Sequence, residues 1–324
     1  MKIAYPIKFQ PILKEKIWGG EKLAKVLNKE SNNPNVGESW EISDVKGDTS
    51  IVVNGALKGQ TLQELIATYG ASLMGGNVYS HFGEKFPLLI KFIDAKTALS
   101  IQLHPNDALA QKRHNSFGKT EMWYVLQADK DAELIVGFQQ DSNKEEYISH
   151  LKNKKILDIL NVDKVKKGDV YFIPTGRIHA IGAGVMLAEI QQTSDVTYRV
   201  YDWDRVDYNG IGRELHTELA LDAIDYKSQK NYKTQYDIVK NKPKNILDCN
   251  YFTTNILAID KTLLVDNSAK DSFVIYMCVK GEVTIENETI KKGETVLIPA
   301  SLHTITIKTD QYSELLEVYI KSNI

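Results

Sequence analysis

The chain has 324 residues, of which 43% are hydrophobic and 25% charged, and its 40 Lys and Arg against 42 Asp and Glu give a formal charge of -2. This composition is typical of a globular protein of about two domains. The near-zero charge excludes the broad basic field that binds nucleic acids or anionic membranes. We therefore expect a small-molecule partner, no nucleic acid and no membrane.

The N-terminal segment and the cysteines indicate where in the cell the protein is found. The N-terminal MKIAYPIKFQPIL is interrupted by Pro6 and Lys8 before any apolar run of signal-peptide length, and no later window is long and apolar enough to span a membrane. Cys249 and Cys278 lack C-x-x-C spacing, which disfavours a disulfide framework and a thiolate metal site. These features predict a cytoplasmic protein.

Two segments have helical periodicity. TLQELIATYG places Leu62, Leu65 and Ile66 on one face, with Thr61 as a plausible N-cap. NKEEYISHLKNKKILDIL, at 143–160, has a similar period. We interpret both segments as helical insertions in a β framework.

Most of the remaining pattern indicates short strands. Alternating or β-branched runs recur along the chain: FPLLIKFI, EMWYVL, AELIVGF, DVYFIP, VMLAEIQ, FVIYMCV, EVTIE, ETVLIP, HTITIK and ELLEVYI. Many short strands separated by turn residues predict a mainly β protein built as a sandwich or barrel of the jelly-roll type.

A motif also occurs twice. KGDVYFIP at 167–174 and KGETVLIP at 292–299 share Lys-Gly-acid, an apolar strand and Ile-Pro, and a histidine follows each, His179 and His303. Glycine permits the tight turn, and proline ends the strand ladder. The repetition predicts two related β units, joined by the polar segment 231–245.

The strongest chemical signal is SIQLHPND at 100–107, which follows an apolar run. Gln102 and His104 are two residues apart, so on a strand their side chains leave the same face. Glu121 begins the strand EMWYVL, and His179 follows the Pro-terminated strand DVYFIP. Two imidazoles, a carboxylate and an amide, at the ends of different strands, are a candidate set of metal ligands.

The donor types indicate which metal fits. Imidazole outnumbers hard oxygen donors, which favours zinc over calcium or magnesium. Two histidines and a carboxylate also describe a non-haem Fe(II) site, but Gln102 would fill a fourth position and disfavour an open face for oxygen. One anionic ligand leaves a divalent ion with a charge of about +1, which preserves its Lewis acidity. His303 lacks a matching Q-x-H-P and Glu segment, so we interpret it as structural.

Two further segments contain groups that bind sugars or phosphates. EIQQTSDVTYRVYDWDR, at 189–205, contains Arg199 and Arg205, and an edge strand with a surface salt bridge explains it equally well. Nearer the N-terminus, four side chains either pack or line a pocket: Trp18, Glu38, Trp40 and Glu41.

Taken in chain order, S-I-Q-L-H-P-N-D, G-K-T-E-M-W-Y-V-L, G-R-I-H-A-I-G and T-Y-R-V-Y-D-W-D-R resemble the type I mannose-6-phosphate isomerases of the cupin superfamily, in their short bacterial form. The similarity runs from W-G-G at 18–20 to the repeated motif at 292–303. It implies two cupin (jelly-roll) β-barrels with a few short helices inserted in the first. A metal-binding catalytic domain would span 1–235, and a C-terminal cupin domain without the metal ligands would span 236–324.

The resemblance also implies roles for individual residues. One Zn2+ per chain would be bound by Gln102, His104, Glu121 and His179. Arg199 and Lys119 would be catalytic, and Lys119 would also contact the substrate. The other implied substrate contacts are Ser100, Arg205, Trp18 and Glu41. Because the short form lacks the large helical domain that the long form carries between the Glu and the second His ligand, another part of the chain must complete the pocket.

The implied activity is the reversible conversion of mannose 6-phosphate to fructose 6-phosphate through an enediol, by a zinc-dependent isomerase that is a monomer or homodimer. The proton-transferring base stays open between Glu38, Glu41, a zinc-bound water and a ligand histidine. Two alternatives use the same pocket: a non-catalytic regulatory cupin that binds a sugar phosphate, and an Fe(II) cupin oxygenase.

Overall fold

The computed structural model describes residues 3–207 and 209–321. In these ranges the chain forms 22 strands and seven α-helices, so the predicted mainly β fold is confirmed. No helix in the described ranges has the length and apolar character needed to cross a membrane.

The first half of the chain contains thirteen strands. They are β1 Ile12–Gly20, β2 Val36–Ile42, β3 Asp44–Val45, β4 Asp48–Thr49, β5 Leu88–Ala95, β6 Ile101–Leu103, β7 Glu121–Ala128, β8 Glu133–Phe138, β9 Leu160–Lys164, β10 Val170–Ile173, β11 His179–Ile181, β12 Val185–Gln192 and β13 Tyr198–Tyr201. Six of them form a sheet in the order β1-β2-β5-β12-β7-β10, and five form a second sheet in the order β13-β6-β11-β8-β9. β3 and β4 form a separate two-stranded ribbon.

The second half contains the other nine strands. They are β14 Lys244–Asp248, β15 Thr253–Ile259, β16 Leu263–Asp266, β17 Val274–Lys280, β18 Glu282–Ile285, β19 Glu288–Lys291, β20 Thr295–Ile298, β21 Thr304–Lys308 and β22 Ser313–Tyr319. They form a five-stranded sheet, β14-β15-β22-β17-β20, and a four-stranded sheet, β16-β21-β18-β19.

The two halves repeat one strand order, which confirms the two related β units predicted from the sequence. β5-β12-β7-β10 corresponds to β15-β22-β17-β20, and β6-β11-β8-β9 corresponds to β16-β21-β18-β19. The repeated Lys-Gly motif precedes β10 in one half and β20 in the other, and each of these strands lies at the edge of its sheet.

The α-helices are α1 Lys22–Leu27, α2 Leu62–Tyr69, α3 Ala71–Met74, α4 Gly76–Phe82, α5 Asp107–His114, α6 Lys144–Lys152 and α7 Thr217–Leu221. Thr61 caps α2 in a reciprocal capping box with Glu64, as its sequence position predicts. α6 ends at Lys152 rather than running to residue 160, because Lys154 adopts a left-handed backbone conformation, φ 56°, that interrupts the helix. α5 was not predicted, although Asn106 is an N-cap whose side chain accepts a hydrogen bond from Leu109 N at 2.9 Å.

The sheets divide between β13 and β14, and the division of domains at 235/236 stays a prediction. The two halves nevertheless share one hydrophobic core, to which Phe86 and Ile90 contribute from the first and Phe273 from the second. Ile7 also pairs with Leu297 through two backbone hydrogen bonds of 2.8 and 2.9 Å. The N-terminal segment therefore extends the edge of the second half's sheet.

Helices α3 and α4 attach the first half to the second. The carboxylate of Asp271 accepts hydrogen bonds from Gly76 N at 2.7 Å and Asn77 N at 3.0 Å, at the start of α4. Gly75 lies between the two helices with φ 94°, and a Cβ at this position would lie 2.1 Å from Asp271 O. Only glycine fits there, because both its backbone conformation and the neighbouring backbone exclude a side chain.

We expect Gly75→Ala to destabilise the protein more than Gly59→Ala. Gly59 has φ 90° but open space around it, so both variants carry a left-handed strain of about 1–2 kcal/mol and only Gly75→Ala adds an overpacking cost of about 1–3 kcal/mol. Urea unfolding of both variants measures the difference. Equal losses would show that the contact at Asp271 does not hold the halves together.

Candidate metal centre and substrate pocket

Three predicted metal ligands meet in the first half. His104 directly follows β6, Glu121 begins β7 and His179 begins β11. One ligand atom from each lies within 4.8 Å of the other two, and each side chain is at most 1% exposed. His104 Nε2 is 3.2 Å from Glu121 Oε1.

The hydrogen bonds of this cluster leave the metal-binding atoms available. Nδ1 of His104 lies 2.9 Å from Val196 O, and Nδ1 of His179 lies 2.8 Å from Arg177 O. Because a carbonyl only accepts, Nδ1 carries the proton in both rings and Nε2 keeps its lone pair. Within the described residues, neither Nε2 atom nor Glu121 Oε2 has a hydrogen-bond partner, and Glu121 Oε1 has only its contacts with Lys119 Nζ at 3.0 Å and His104 Nε2 at 3.2 Å. Such atoms cost about 1–3 kcal/mol each when unpaired, and a bound divalent cation would satisfy all of them.

The charges favour the same interpretation. Burial, with a contribution from Lys119, lowers the pKa of His104 to about 4, and burial also lowers the pKa of His179. Burial acts to raise the pKa of Glu121, but Lys119 and the two imidazoles outweigh it and hold this pKa well below its usual range. At neutral pH the cluster therefore offers two neutral imidazoles and one carboxylate, which are the protonation states that a metal ion needs.

Gln102 lies beside the cluster. It is directly opposite His179 in the β6–β11 ladder and opposite Arg199 in the β6–β13 ladder. Its Oε1 lies 3.4 Å from the Oγ of Ser100. Its role as a fourth ligand stays a prediction.

A pocket adjoins the cluster, and charged side chains dominate its wall. The polar lining consists of Lys16, Glu38, Lys91, Ser100, Gln102, Lys119, Glu189, Thr197, Arg199 and Arg213, and the apolar lining includes Trp18. Five of these side chains are cationic and two are anionic, an excess of three positive charges. Such a pocket attracts an anionic ligand.

Four of the residues implied as catalytic or substrate-binding line this pocket: Trp18, Ser100, Lys119 and Arg199. Lys119 Nζ is 3.0 Å from Glu121 Oε1, so this lysine faces both the metal cluster and the pocket. Arg199 donates from Nη1 to Glu214 O at 2.9 Å, and its buried Nε has no hydrogen-bond partner among residues 3–207 and 209–321.

The structure does not bring Arg205 into the pocket lining. Its guanidinium donates to Ala98 O at 2.8 Å and pairs with the carboxylate of Asp202 at 2.5 Å. The same carboxylate binds Arg213 at 2.6 and 2.7 Å. Arg213 lines the pocket instead, a role that no local motif indicated because it depends on how the chain returns after β13.

The structure also places Glu41 elsewhere. Glu38 and Glu41 lie on opposite faces of β2, because Glu38 accepts a hydrogen bond from Trp40 Nε1 at 2.6 Å on one face and Glu41 accepts one from Ser39 Oγ on the other. Glu38 lines the pocket, whereas Glu41 is buried on the other side against Lys29 at 2.8 Å and the hydroxyl of Ser39 at 2.6 Å. The structure therefore does not bring Glu41 into the lining of this pocket.

Sequence reasoning missed an ion pair in the pocket wall. Lys91 of β5 lies directly opposite Glu189 of β12, and Nζ donates to Oε1 at 3.0 Å. Trp123 Nε1 donates to the other carboxylate oxygen at 2.8 Å. The signal was a single charged residue inside each of two apolar strands, FPLLIKFI and VMLAEIQ, because such residues are rarely buried unless they are paired.

His303 of the second half is exposed and belongs to no such cluster of described residues. Four residues separate Pro174 from His179, but three separate Pro299 from His303. β11 accordingly begins at His179, whereas β21 begins one residue after His303, at Thr304. The two histidines are therefore not at equivalent positions in the two ladders.

Comparison with known proteins identifies the family. Residues 7–140 match the family model for the catalytic domain of phosphomannose isomerase type I, and residues 242–317 match the model for the cupin domain of mannose-6-phosphate isomerase. The chain is 35% identical over 319 residues to the mannose-6-phosphate isomerase of Streptococcus mutans, with 98% of each chain covered. The chain belongs to the type I mannose-6-phosphate isomerase family.

Two relatives from Bacillus subtilis agree with this assignment. The mannose-6-phosphate isomerase ManA is 34% identical over 318 residues, which cover 96% of this chain and 98% of that one. A crystal structure of mannose 6-phosphate isomerase from B. subtilis matches with a TM-score of 0.86 and 33% identity, over 97% of this chain and 99% of that one. The family resemblance seen in the motifs is thereby confirmed along the whole chain.

We expect His104→Ala to abolish stoichiometric metal binding. Removing a ligand should weaken metal affinity by more than the roughly 10- to 100-fold that loss of an outer hydrogen-bond partner costs. Metal content after dialysis, measured by mass spectrometry, is the readout. His303→Ala is the matched control and should keep its metal; equal metal content in both variants would contradict the assigned site.

Proposed function

We propose that this protein is a zinc-dependent mannose-6-phosphate isomerase that interconverts mannose 6-phosphate and fructose 6-phosphate. The observation that carries this proposal is the buried His104, Glu121 and His179 cluster beside a cationic pocket. The relatives that match this chain over nearly its full length carry the same activity in their names. The two imidazoles and the carboxylate suit a divalent cation, and the positive charge of the pocket suits a phosphorylated sugar.

The metal proposed for the cluster is one Zn2+ per chain. His104 and His179 would bind it through Nε2 and Glu121 through a carboxylate oxygen, with the amide oxygen of Gln102 as the fourth donor. Nitrogen donors with a single carboxylate suit zinc better than calcium or magnesium. When bound, zinc acts as a Lewis acid toward the sugar oxygens.

Arg199 and Lys119 are proposed to support the developing negative charge. Isomerisation moves a proton between two neighbouring carbons, and the sugar oxygens gain charge in the transition state. At the pocket wall, the buried Nε of Arg199 has no hydrogen-bond partner among the described residues, so it can donate to an oxyanion without breaking an existing bond. Lys119 is already oriented by Glu121 at 3.0 Å and can position the substrate.

The proton acceptor is proposed to be a carboxylate of the pocket wall. Two carboxylates line the pocket, Glu38 and Glu189. Burial acts to raise the pKa of Glu38, but Lys91 and Lys16 outweigh it and hold this pKa at about 2, so its carboxylate is a weak base. Burial acts to lower the pKa of Lys91, but Glu189 and Glu38 raise it overall, so Lys91 stays protonated and orients Glu189.

Arg213 is proposed to bind the phosphate. It enters the pocket from the segment after β13 and is oriented by two hydrogen bonds to Asp202. An arginine held in this way presents its remaining donors to a phosphate. We propose that this segment completes the wall of the pocket.

Two alternatives use the same residues, and the relatives do not favour either. A regulatory cupin would bind the sugar phosphate without turnover, and an Fe(II) oxygenase would consume oxygen. The two cysteines are unpaired in the structure, which supports the proposed cytoplasmic location. A monomeric or homodimeric state stays a prediction.

The activity test is a coupled assay for fructose 6-phosphate, run on protein with and without a chelator. We expect formation of fructose 6-phosphate from mannose 6-phosphate, loss of activity after chelation and recovery with Zn2+, because the two Nε2 atoms have no hydrogen-bond partner among the described residues and remain available to the metal. Binding without turnover would indicate the regulatory cupin. Bound iron with oxygen consumption would indicate the oxygenase.

We expect Arg199→Ala to lower kcat by roughly 100-fold or more, the usual loss when a donor to a developing oxyanion is removed, with metal content unchanged. The comparison with His104→Ala separates the two roles, because that variant should lose both metal and activity. Normal turnover by Arg199→Ala would show that the arginine has no catalytic role.

Arg213→Gln should raise KM for mannose 6-phosphate by roughly 10- to 100-fold, the range expected for one charge-assisted hydrogen bond. Arg205→Gln is the matched control, because Arg205 shares Asp202 but does not line the pocket. Steady-state kinetics give the KM of each variant for mannose 6-phosphate. A larger KM change in Arg205→Gln would reassign the phosphate contact to that residue.

A further inference from the structure

A second cavity lies between the two halves of the protein, away from the metal cluster. Its volume is about 290 Å³, close to the lower end of the roughly 300–1,000 Å³ range of small-molecule sites. The first half contributes Phe9, Leu27 and the buried pair Lys29–Glu41, and the second contributes Lys292 and Thr295. The cavity therefore exists only where the two halves meet.

Four lysines and three glutamates line this cavity, an excess of one positive charge. Lys29 binds Glu41 at 2.8 Å, and Lys8 lies 3.5 Å from Glu294 across the junction of the halves. Lys292 has no side-chain hydrogen bond or ion pair to any described residue of the chain. Burial and the nearby charge of Lys167 lower its pKa. An anion placed in the cavity would relieve this unpaired positive charge.

A buried hydroxyl lies beside this lysine. Thr295 is only 7% exposed, and its Oγ1 has no hydrogen-bond partner in the part of the chain that the structure describes. Leu297, two residues along β20, packs into the core shared by the halves, so Thr295 points from the same face of the strand toward the first half. A buried hydroxyl without a partner costs about 1–3 kcal/mol, and a ligand in the cavity can accept its hydrogen bond.

We propose that this cavity binds a small organic anion, whose phosphate or carboxylate group contacts Lys292 and the hydroxyl of Thr295. The apolar side chains of Phe9 and Leu27 contact the body of the ligand. This site is separate from the metal pocket, since Glu41 and Glu38 face the two cavities from opposite sides of β2. The proposal does not depend on isomerase activity.

The test is isothermal titration calorimetry of the full chain with 3-phosphoglycerate, which carries both anionic groups. Lys292→Gln should raise Kd about tenfold or more, and Thr295→Val should raise it severalfold, in line with the loss of a charged and a neutral hydrogen bond. Lys152→Gln removes an exposed lysine of α6 and should leave Kd unchanged. Arg213→Gln, in the metal pocket, should also leave this binding event unchanged.

Three results would overturn the proposal. The first is no measurable binding of 3-phosphoglycerate to the wild-type protein. The second is loss of binding in Arg213→Gln but not in Lys292→Gln, which would assign the probe to the metal pocket. The third is an equal loss in Lys152→Gln, which would indicate nonspecific attraction to lysines. Melting temperatures without probe verify folding, and Thr295→Val carries the test if Lys292→Gln does not fold.

Discussion

The register of strand β12 against its two neighbours is the constraint on which the pocket depends. Hydrogen bonding places Glu189 directly opposite Lys91 of β5 on one side and Trp123 of β7 on the other. Both neighbours bond to the Glu189 carboxylate, at 3.0 and 2.8 Å. The same ladder sets Gln191 opposite Glu121, at the metal cluster. A slip of one residue would turn these side chains to the other face of the sheet, so the fold and the pocket are specified together.

The second half repeats this arrangement with different partners. Glu317 of β22 lies opposite Asn255 of β15 and Tyr276 of β17. Its carboxylate accepts from Asn255 Nδ2 at 2.7 Å, from Tyr276 Oη at 2.8 Å and from Lys270 Nζ at 2.7 Å. Glu189 and Glu317 thus lie at corresponding positions of β12 and β22, and each is buried and bonded to a lysine. We infer that this position belongs to the shared architecture, whereas the chemistry depends on what surrounds it.

The features that could be predicted from the sequence are local, whereas those that depend on contacts between distant parts of the chain could not be predicted. The strands, the capped helix α2 and the Q-x-H-P motif follow from periodicity and from residue type over a few positions. The sequence did not distinguish Glu38 from Glu41 as a pocket residue, because the packing of β2 decides which of the two faces the pocket. The choice of Arg213 over Arg205 depends on Asp202 and on the path of the chain after β13. The second cavity could not be predicted, because it forms only where the halves pack.

Comparison of the two halves also distinguishes the residues that the fold requires from those that the metal site requires. Burying ions costs free energy unless they are well paired, and apolar replacements of buried ion pairs are often as stable. Glu121 lies two residues before Trp123, the aromatic partner of Glu189. In the second half, the residue two positions before Tyr276, the aromatic partner of Glu317, is the apolar Val274. The same architecture therefore forms without that carboxylate. The buried Glu121, with Lys119 at 3.0 Å and two neutral imidazoles beside it, is then a cost that stability alone does not explain, and a bound metal ion would compensate it.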